Sequence, residues 1–302
     1  MREKLTQLTL GLADVIFGKE QQIKLALCAM LARGHLLLED LPGMGKTTLS
    51  HGLAQALGMS YQRIQFTSDL LPADILGASI FNTKEQQFSF HKGPIFSQVV
   101  LADEINRAGP KTQSALLEAM EEGCVSIDSE RYMLPTPFFV IATQNPQHQS
   151  GTFALPESQL DRFFMRLSLG FPPADAEKLL IKGIRPQRDE DKPAIVTCDV
   201  LKKMQSQVDQ ITIANTVVDY ILALVTITRH DKDIAHPLSP RASIALAQGA
   251  KAWAFIEGRD FVMPEDVQAV FTSICEHRIN PHDSYSQANL CDDILRRVKV
   301  PL

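Results

Sequence analysis

The sequence lacks a basic excess, a long apolar run and any pattern of paired cysteines. Its 30 Lys and Arg residues are outnumbered by 35 Asp and Glu residues, which gives a formal net charge of −5. Proteins that bind nucleic acid usually carry a basic surface. The five cysteines are scattered and form no CxxC motif, so neither a disulfide framework nor a zinc site is expected. These absences disfavour a nucleic-acid-binding protein, a disulfide-stabilised secreted domain and a structural metal site.

No segment has the composition of a membrane span or a secretory signal. A spanning helix needs about 18 or more apolar residues in succession, and the sequence contains no such run. The segment from Met1 to Thr9 (MREKLTQLT) lacks the apolar centre of a signal peptide. We therefore expect a cytoplasmic protein that does not insert into membranes.

Short apolar strands alternate with helical segments in the first part of the chain. Strands are predicted at 35–38, 97–102 and 137–143, and the apolar side chains of 20–33 and 47–57 have helical spacing. Buried strands separated by helices favour a parallel sheet with helices on both faces. The predicted fold class is therefore α/β, with ligands expected at the carboxyl ends of the strands.

A polar segment bounded by prolines divides the chain. Residues 185–193 (RPQRDEDKP) have the composition of a linker. Beyond them, helices are predicted over residues 201–211, 216–230, 240–257 and 264–277. The sequence thus predicts an α/β core over residues 1–184, a linker over 185–192 and an all-helical domain over 193–302.

Two segments interrupt the strand–helix pattern of the core. Residues 79–91 and 124–134 alternate polar and apolar side chains around a polar centre, which predicts two β-hairpins. They are either ordinary surface hairpins or insertions that contact a substrate. The sequence leaves both interpretations open.

The segment from Asp40 to Thr47 (DLPGMGKT) has the composition of a phosphate-binding loop. Its glycines allow backbone amides to turn towards phosphate oxygens, Lys46 would contact the β- and γ-phosphates, and the Thr47 hydroxyl would bind Mg²⁺. Asp40 replaces the first glycine of the strict pattern, but the GKT end is intact. The predicted phosphate-binding residues are Pro42, Gly43, Met44, Gly45, Lys46, Thr47 and Thr48.

Polar residues also follow the next two apolar strands. Asp103 and Glu104 come directly after one of them, and Asn145 follows the other. Asp103 would hold Mg²⁺ through its water shell, and Glu104 would deprotonate the water that attacks the γ-phosphate. Asn145 would hydrogen-bond this water and a γ-phosphate oxygen. The combination predicts an ATPase whose cofactors are ATP and Mg²⁺.

The sequence resembles the AAA+ ATPases and, within them, the MoxR family of the helix-2-insert branch, which is related to magnesium-chelatase motor subunits. The matching segments, in the family's order, are VIFGKE from Val15, HLLLE from His35, PGMGKTTL from Pro42, LADEINRAGPKTQSALLEAMEE from Leu101, IATQNP from Ile141, LPESQLDRFFMR from Leu155 and LSPRA from Leu238. This resemblance implies a P-loop AAA+ core with β-hairpin insertions and a C-terminal helical lid. It also implies that Phe17 and Gly18 lie beside the adenine.

The resemblance implies further roles in catalysis. Asn145 matches the first sensor, and Arg241 matches the second sensor, a lid arginine that would hold the same γ-phosphate as Lys46 and so tie the lid to the core. Arg162 matches the arginine finger, which stabilises charge on the γ-phosphate of a neighbouring subunit. Arg166 is an alternative candidate for this role, and the sequence does not decide between them.

The implied function is ATP-driven, chaperone-like remodelling or maturation of a partner protein by a hexameric ring. The partner would typically be a separate protein that carries a von Willebrand factor A domain. One alternative is a nucleic-acid motor resembling the MCM helicases, which the acidic balance disfavours. Another is a nucleotide-dependent scaffold without turnover, which the presence of Glu104 disfavours because a pure switch needs no catalytic base.

Overall fold

The structure, a computed structural model, describes residues 2–84, 86–145, 151–183, 193–232, 234–279 and 290–301. Within them, the strands are β1 (Leu36–Glu39), β2 (Tyr61–Gln65), β3 (Gly77–Asn82), β4 (Gln87–Lys92), β5 (Val99–Asp103), β6 (Cys124–Ile127), β7 (Glu130–Met133), β8 (Phe139–Gln144) and β9 (Met165–Leu167). The α-helices are α1 (Arg2–Ala13), α2 (Glu20–Leu31), α3 (Lys46–Ala56), α4 (Pro72–Leu76), α5 (Pro110–Glu122), α6 (Glu157–Leu160), α7 (Ala174–Ile181), α8 (Cys198–Asp209), α9 (Asn215–His230), α10 (Pro240–Ile256), α11 (Pro264–Ile279) and α12 (Leu290–Arg297). None of the described helices is both long and apolar enough to cross a membrane.

A parallel sheet in the order β2-β5-β8-β1-β9 forms the centre of the core. Alternate side chains of β1 enter two separate apolar layers, with Leu36 and Leu38 on one side and Leu37 on the other. Strands buried on both faces need helices on both sides of the sheet. The predicted α/β fold is therefore confirmed, although β5 and β8 each begin two residues later than the sequence indicates.

The C-terminal helices form a bundle that packs directly on the core. At Gly249 of α10, an added Cβ would lie only 2.5 Å from Cδ1 of Ile274 on α11. The same helix packs against α2, where Sγ of Cys28 donates to the Gly249 carbonyl oxygen at 3.3 Å. Just beyond α2, Arg33 forms two hydrogen bonds with Asp209, at 3.0 and 2.8 Å. The helical nature of this half is confirmed, and the predicted linker at 185–192 lies outside the described residues.

Local sequence signals explain where two of the helices begin. Pro110 and Pro240 occupy the first positions of α5 and α10, where a missing N–H is harmless and the fixed φ suits a helix. Ser239 also caps α10, since its Oγ accepts the N–H of Ala242 at 3.3 Å. The position of Arg241 in the first turn of α10 is thereby well defined.

Both predicted hairpins are present, β3 with β4 and β6 with β7. The rings of Phe90 and Tyr132 lie with centroids 4.1 Å apart, which joins the two hairpins side by side. Large apolar side chains of the first hairpin remain in solvent, among them Phe81 and Phe88, whose rings contact each other at 5.2 Å. The hairpins therefore present an apolar surface instead of burying it in the core.

His35, directly before β1, is expected to make the protein less stable in mild acid. Burial lowers its pKa to about 4, and its Nδ1 accepts the N–H of Val140 at 3.0 Å, so the ring is neutral in the folded chain. The unfolded chain binds a proton near pH 6.5, whereas the folded chain binds it only near pH 4. The free energy of unfolding should therefore fall between these pH values, by about 3 kcal/mol from this group.

Denaturant unfolding at pH 7 and pH 4.5 measures this effect. His35→Gln should be less stable at pH 7 but should lose less free energy of unfolding on acidification than the wild type. The exposed His230→Gln serves as the matched control and should keep the wild-type pH dependence. A His35→Gln variant with an undiminished pH dependence would contradict the assignment.

Candidate active site

The phosphate loop joins the carboxyl end of β1 to the N-terminus of α3. Gly43 and Gly45 have φ values of 85° and 93°, in the left-handed region that glycine adopts readily. No atom would lie within 4 Å of a Cβ at either position, so backbone conformation and not space requires glycine here. Gly45 directly precedes α3, which places the free N–H groups of the first helical turn at the loop.

Lys46 is buried at the centre of this loop. Its Nζ donates to the carbonyl oxygen of Asp40 at 2.7 Å and to Oδ1 of Asn145 at 3.1 Å. Burial lowers the pKa of Lys46, and the carboxylates of Asp40, Asp103 and Glu104 oppose that shift. A bound triphosphate would add negative charge and so favour the charged ammonium group.

The acidic pair and the predicted sensor meet at the same edge of the sheet. Asn145 Nδ2 donates to Glu104 Oε1 at 3.0 Å, and Thr143 Oγ1 donates to Asp103 Oδ1 at 2.6 Å. They meet because β5 and β8 are neighbours. Glu104 itself has φ 57° and ψ 50°, a left-handed conformation that is unfavourable for a residue with a side chain and recurs at functional sites.

Besides Thr143, three further side chains that were not predicted contact the acidic pair. Arg63 donates to Asp103 Oδ2 from Nε at 3.0 Å and from Nη2 at 2.5 Å. Gln65 Nε2 and Arg107 Nη1 each donate to Glu104 Oε2 at 2.9 Å. Alternation along β2 would place Arg63 and Gln65 on one face. That this face meets the acids depends on the register of β2 with β5, which the sequence does not reveal.

The phosphate loop, the acidic pair, Asn145 and Arg63 surround a cavity of about 340 Å³. Its lining consists of Pro42, Gly43, Gly45, Lys46, Thr47, Thr48, Arg63, Asp103, Glu104 and Asn145. The predicted magnesium ligands Thr47 and Asp103 thus line the same cavity as Lys46. Hydroxyl and carboxylate oxygens are the ligands that Mg²⁺ prefers, so the donor set fits this ion. The arrangement suits a triphosphate with its metal ion.

A second cavity, of about 210 Å³, adjoins the first and shares loop residues with it. Its lining is Val15, Ile16, Phe17, Lys19, Gly43, Met44, Gly45, Thr48, Gly170, Pro172 and Leu180. Phe17, which the resemblance implies would lie beside the adenine, lines this cavity. Gly18 packs behind the cavity wall, where an added Cβ would lie 2.6 Å from Cγ of Pro173. The apolar walls suit a nucleotide base, and we refer to this space as the base cavity.

Arg162 and Arg241 lie together at another place on the molecule. Neither is among the described residues that line the two cavities. Instead, both contact Glu121 of α5: Arg162 Nη2 lies 3.0 Å from Oε2, and Arg241 Nη2 lies 2.7 Å from Oε1. In this structure, Arg241, which the resemblance implies would hold the same γ-phosphate as Lys46, is paired with Glu121 instead. The packing of the lid brings Arg241 to the arginine-finger candidate.

Arg166 is buried in the interior. Its side chain is 5% exposed, with Nη1 3.1 Å from Glu39 Oε2 and Nη2 3.4 Å from Glu276 Oε2. The side chain of Arg162 is 31% exposed. Of the two candidates, only Arg162 is therefore accessible to a neighbouring chain.

Comparison with known proteins covers both halves of the molecule. The sequence matches the AAA family (ATPase family associated with various cellular activities) over residues 35–165 and the AAA lid domain over residues 226–298. The uncharacterized protein YeaC of Bacillus subtilis (strain 168) is 42% identical over 95% of this chain and 92% of YeaC. Chaperone MoxR1 of Mycobacterium tuberculosis (strain ATCC 25618 / H37Rv) is 36% identical over 88% of this chain and 72% of its own length.

A solved structure agrees with these matches. The crystal structure of a Cytophaga hutchinsonii (ATCC 33406) protein assigned as an ATPase has a TM-score of 0.89 and 36% sequence identity, and covers 100% of this chain and 96% of that one. Core, lid and nucleotide loop all fall within the matched regions. The chain belongs to the MoxR family of AAA+ ATPases.

Proposed function

We propose that this ATPase couples hydrolysis of Mg-ATP to the remodelling or maturation of a partner protein, and that it works as a closed ring of identical subunits, hexameric by family resemblance. The observation that supports the proposal is that two arginines expected to act on the γ-phosphate lie apart from the nucleotide cavity. The cavity holds the phosphate loop, the acidic pair and Asn145, whereas Arg162 and Arg241 are presented elsewhere. A site that needs these arginines is complete only when a second subunit supplies them.

In the proposed reaction, the triphosphate lies in the larger cavity with Lys46 at its β- and γ-phosphates. Mg²⁺ held by Thr47 and, through water, by Asp103 would neutralise phosphate charge. Glu104 accepts a proton from a water molecule that Asn145 also hydrogen-bonds. The water oxygen bonds to the γ-phosphorus, and the bond to the bridging oxygen breaks, which leaves ADP and inorganic phosphate.

The two arginines act on the neighbouring subunit in this proposal. Within one chain, Glu121 holds their guanidinium groups close together, which two like charges would otherwise resist. A γ-phosphate competes with Glu121 for the same groups because it carries more negative charge. Assembly of the ring would thus transfer Arg162 and Arg241 from the carboxylate to the phosphate.

The paired hairpins are the proposed contact for a client protein. Ile80, Phe81 and Phe88 on the first hairpin and Met133 on the second are exposed, Phe88 to 71%. Of these, Phe81 and Phe88 contact each other on one face of the first hairpin, and contiguous exposed apolar side chains mark binding surfaces. Such a surface suits apolar segments of an unfolded or partly folded chain. The name of the relative Chaperone MoxR1 supports this reading.

The partner and the location of the protein are also proposals. We propose a cytoplasmic protein that acts with a separate protein carrying a von Willebrand factor A domain, as the family resemblance implies. The net charge of −5 disfavours nucleic acid as a substrate. ATP turnover stimulated by a protein client but not by DNA supports this choice, and salt-sensitive stimulation by DNA contradicts it.

Changing Phe81 and Phe88 together to Ser is expected to weaken client binding and spare basal turnover. The side chains contact each other in solvent, so their loss removes apolar contact area without opening a cavity in the core. With β-casein as an unfolded test client, the affinity should fall at least about tenfold. Fluorescence anisotropy of labelled β-casein measures binding, and phosphate release measures basal turnover.

The matched control is Phe261→Ser, an exposed phenylalanine of the helical domain. It should bind β-casein with wild-type affinity. Wild-type casein affinity in the double hairpin variant would show that the client binds elsewhere.

A further inference from the structure

The carboxylate of Asp40 is buried next to the phosphate loop. Asp40 is 4% exposed, and its side chain accepts three hydrogen bonds. The donors are Ser168 Oγ at 2.7 Å, the Leu169 N–H at 2.5 Å and the Gly170 N–H at 3.1 Å. Burial of a carboxylate is costly unless such donors compensate it. The residue that departs from the strict loop pattern therefore makes a specific set of contacts.

These donors begin the segment 168–173, which we call the wall segment. Gly170 and Pro172 line the base cavity. The far end of the segment is held separately, since the Phe171 carbonyl oxygen accepts from Lys19 Nζ at 2.6 Å and Pro173 packs against Gly18. Asp40 thus binds the first residues of the wall segment, and residues 18–19 contact its last residues.

Asp40 also contacts the residue predicted to bind the phosphates. Its carbonyl oxygen accepts from Lys46 Nζ at 2.7 Å, and only two residues separate it from Gly43 of the loop. Asp40 therefore contacts the phosphate loop through its backbone carbonyl and a wall of the base cavity through its carboxylate. The relative placement of the two cavities depends on this connection.

From these contacts we propose that Asp40 is a positioning residue for ATP, which sets the base cavity at the correct distance from the phosphate loop. The inference rests on the proposed ATP site and deepens it. The Asp40 side chain should increase the affinity for ATP but not the affinity for a triphosphate that lacks the nucleoside. The φ of Asp40 is not positive, so the backbone does not need glycine there.

If Asp40 acted only through its negative charge, the variants would give the opposite result for ATP, namely tighter binding. A carboxylate near Lys46 repels phosphate groups, so its removal would strengthen binding of ATP and of an inorganic polyphosphate equally. Loss of the loop's structure would weaken both equally. Only a positioning role changes the ratio between the two affinities.

The test compares Mg-ATP with Mg-tripolyphosphate as competitors of a fluorescent ATP analogue. The variants are Asp40→Gly, which restores the strict loop pattern, and Asp40→Asn, whose amide nitrogen would face an N–H donor. In both variants the Kd for ATP should rise about tenfold. The Kd for tripolyphosphate should stay within about twofold. Asp219→Asn, at an exposed aspartate of α9, is the matched control and should change neither value.

Ser168→Ala provides a second, milder variant at an exposed position. It removes one donor of three, so the Kd for ATP alone should rise about two- to threefold. An unchanged ratio of the two affinities in these variants overturns the role of Asp40. A wild-type chain that binds neither competitor contradicts the ATP site itself, which separates the two failures.

Discussion

Glu104→Gln is expected to lower ATP turnover at least about a hundredfold, because the amide cannot accept a proton from the attacking water. ATP binding should be almost unchanged, since the variant leaves Lys46 and the glycines of the loop in place. The amide oxygen can still accept the hydrogen bond that Asn145 donates to the carboxylate at 3.0 Å. The amide nitrogen would face Gln65 and Arg107, but both are exposed and can turn to solvent. Phosphate release measures turnover, and calorimetry with ATP measures binding.

Glu177→Gln, at an exposed glutamate of α7, is the control and should hydrolyse ATP at the wild-type rate. A Glu104→Gln protein that kept more than about a tenth of wild-type turnover would exclude Glu104 as the general base. The mechanism proposed above would then fail at its proton-transfer step.

Arg162→Ala and Arg241→Ala are each expected to lower turnover by about 10³-fold at saturating ATP, within the range of arginine fingers in related phosphoryl transfer. In the unassembled chain, their ATP affinity should stay close to the wild-type value, because neither side chain is among the described residues that line the cavities. In the assembled protein, the larger loss should appear in kcat, because an arginine finger acts most strongly on the charge of the transition state. Steady-state kinetics of the assembled protein separates kcat from KM.

Mixing two inactive variants tests whether the arginines act between subunits. Lys46→Ala removes the loop cation but keeps both arginines, whereas Arg162→Ala keeps a complete loop. In an equimolar mixed ring, an Arg162→Ala site beside a Lys46→Ala subunit regains its arginine. Random mixing should restore roughly a quarter of wild-type turnover, the fraction of sites with both requirements met in a head-to-tail ring.

The control for this experiment is Arg131→Ala, which removes a surface arginine paired with Glu122 on the hairpin side. It should keep wild-type turnover alone and in mixtures. If the mixture of inactive variants stays inactive although mixed rings form, or if a verified dilute monomer turns over at the full rate, the arginines act within one chain.

The phosphate loop and the acidic pair were predictable because their signals are local. A loop that needs left-handed residues shows its glycines in the sequence, and a buried strand shows its apolar run before Asp103. The parallel sheet followed from the same runs. That Glu104 and Asn145 would lie at the same edge of the sheet followed too, since carboxyl ends of parallel strands meet there.

Contacts that depend on register or on domain packing could not be predicted in this way. Arg63 and Gln65 reach the acids only because β2 pairs with β5 in one register. The placement of Arg241 depends on how the helical bundle packs on the core, which no residue pattern near Arg241 encodes. The same holds for Arg166, whose burial becomes evident only when Glu39 and Glu276 lie beside it.

The close packing of α10 has a mechanical consequence. Gly249 of α10 lies against α2 of the core, where Cys28 donates to its carbonyl oxygen at 3.3 Å, and such close packing resists sliding of one half over the other. Ion pairs from Lys24 to Glu257 and from Arg33 to Asp209 also link the core to the helical bundle. We therefore expect the core and the helical bundle of one subunit to move as a single rigid body. In the proposed ring, the movement that follows phosphate loss would then occur at the interface between neighbouring subunits.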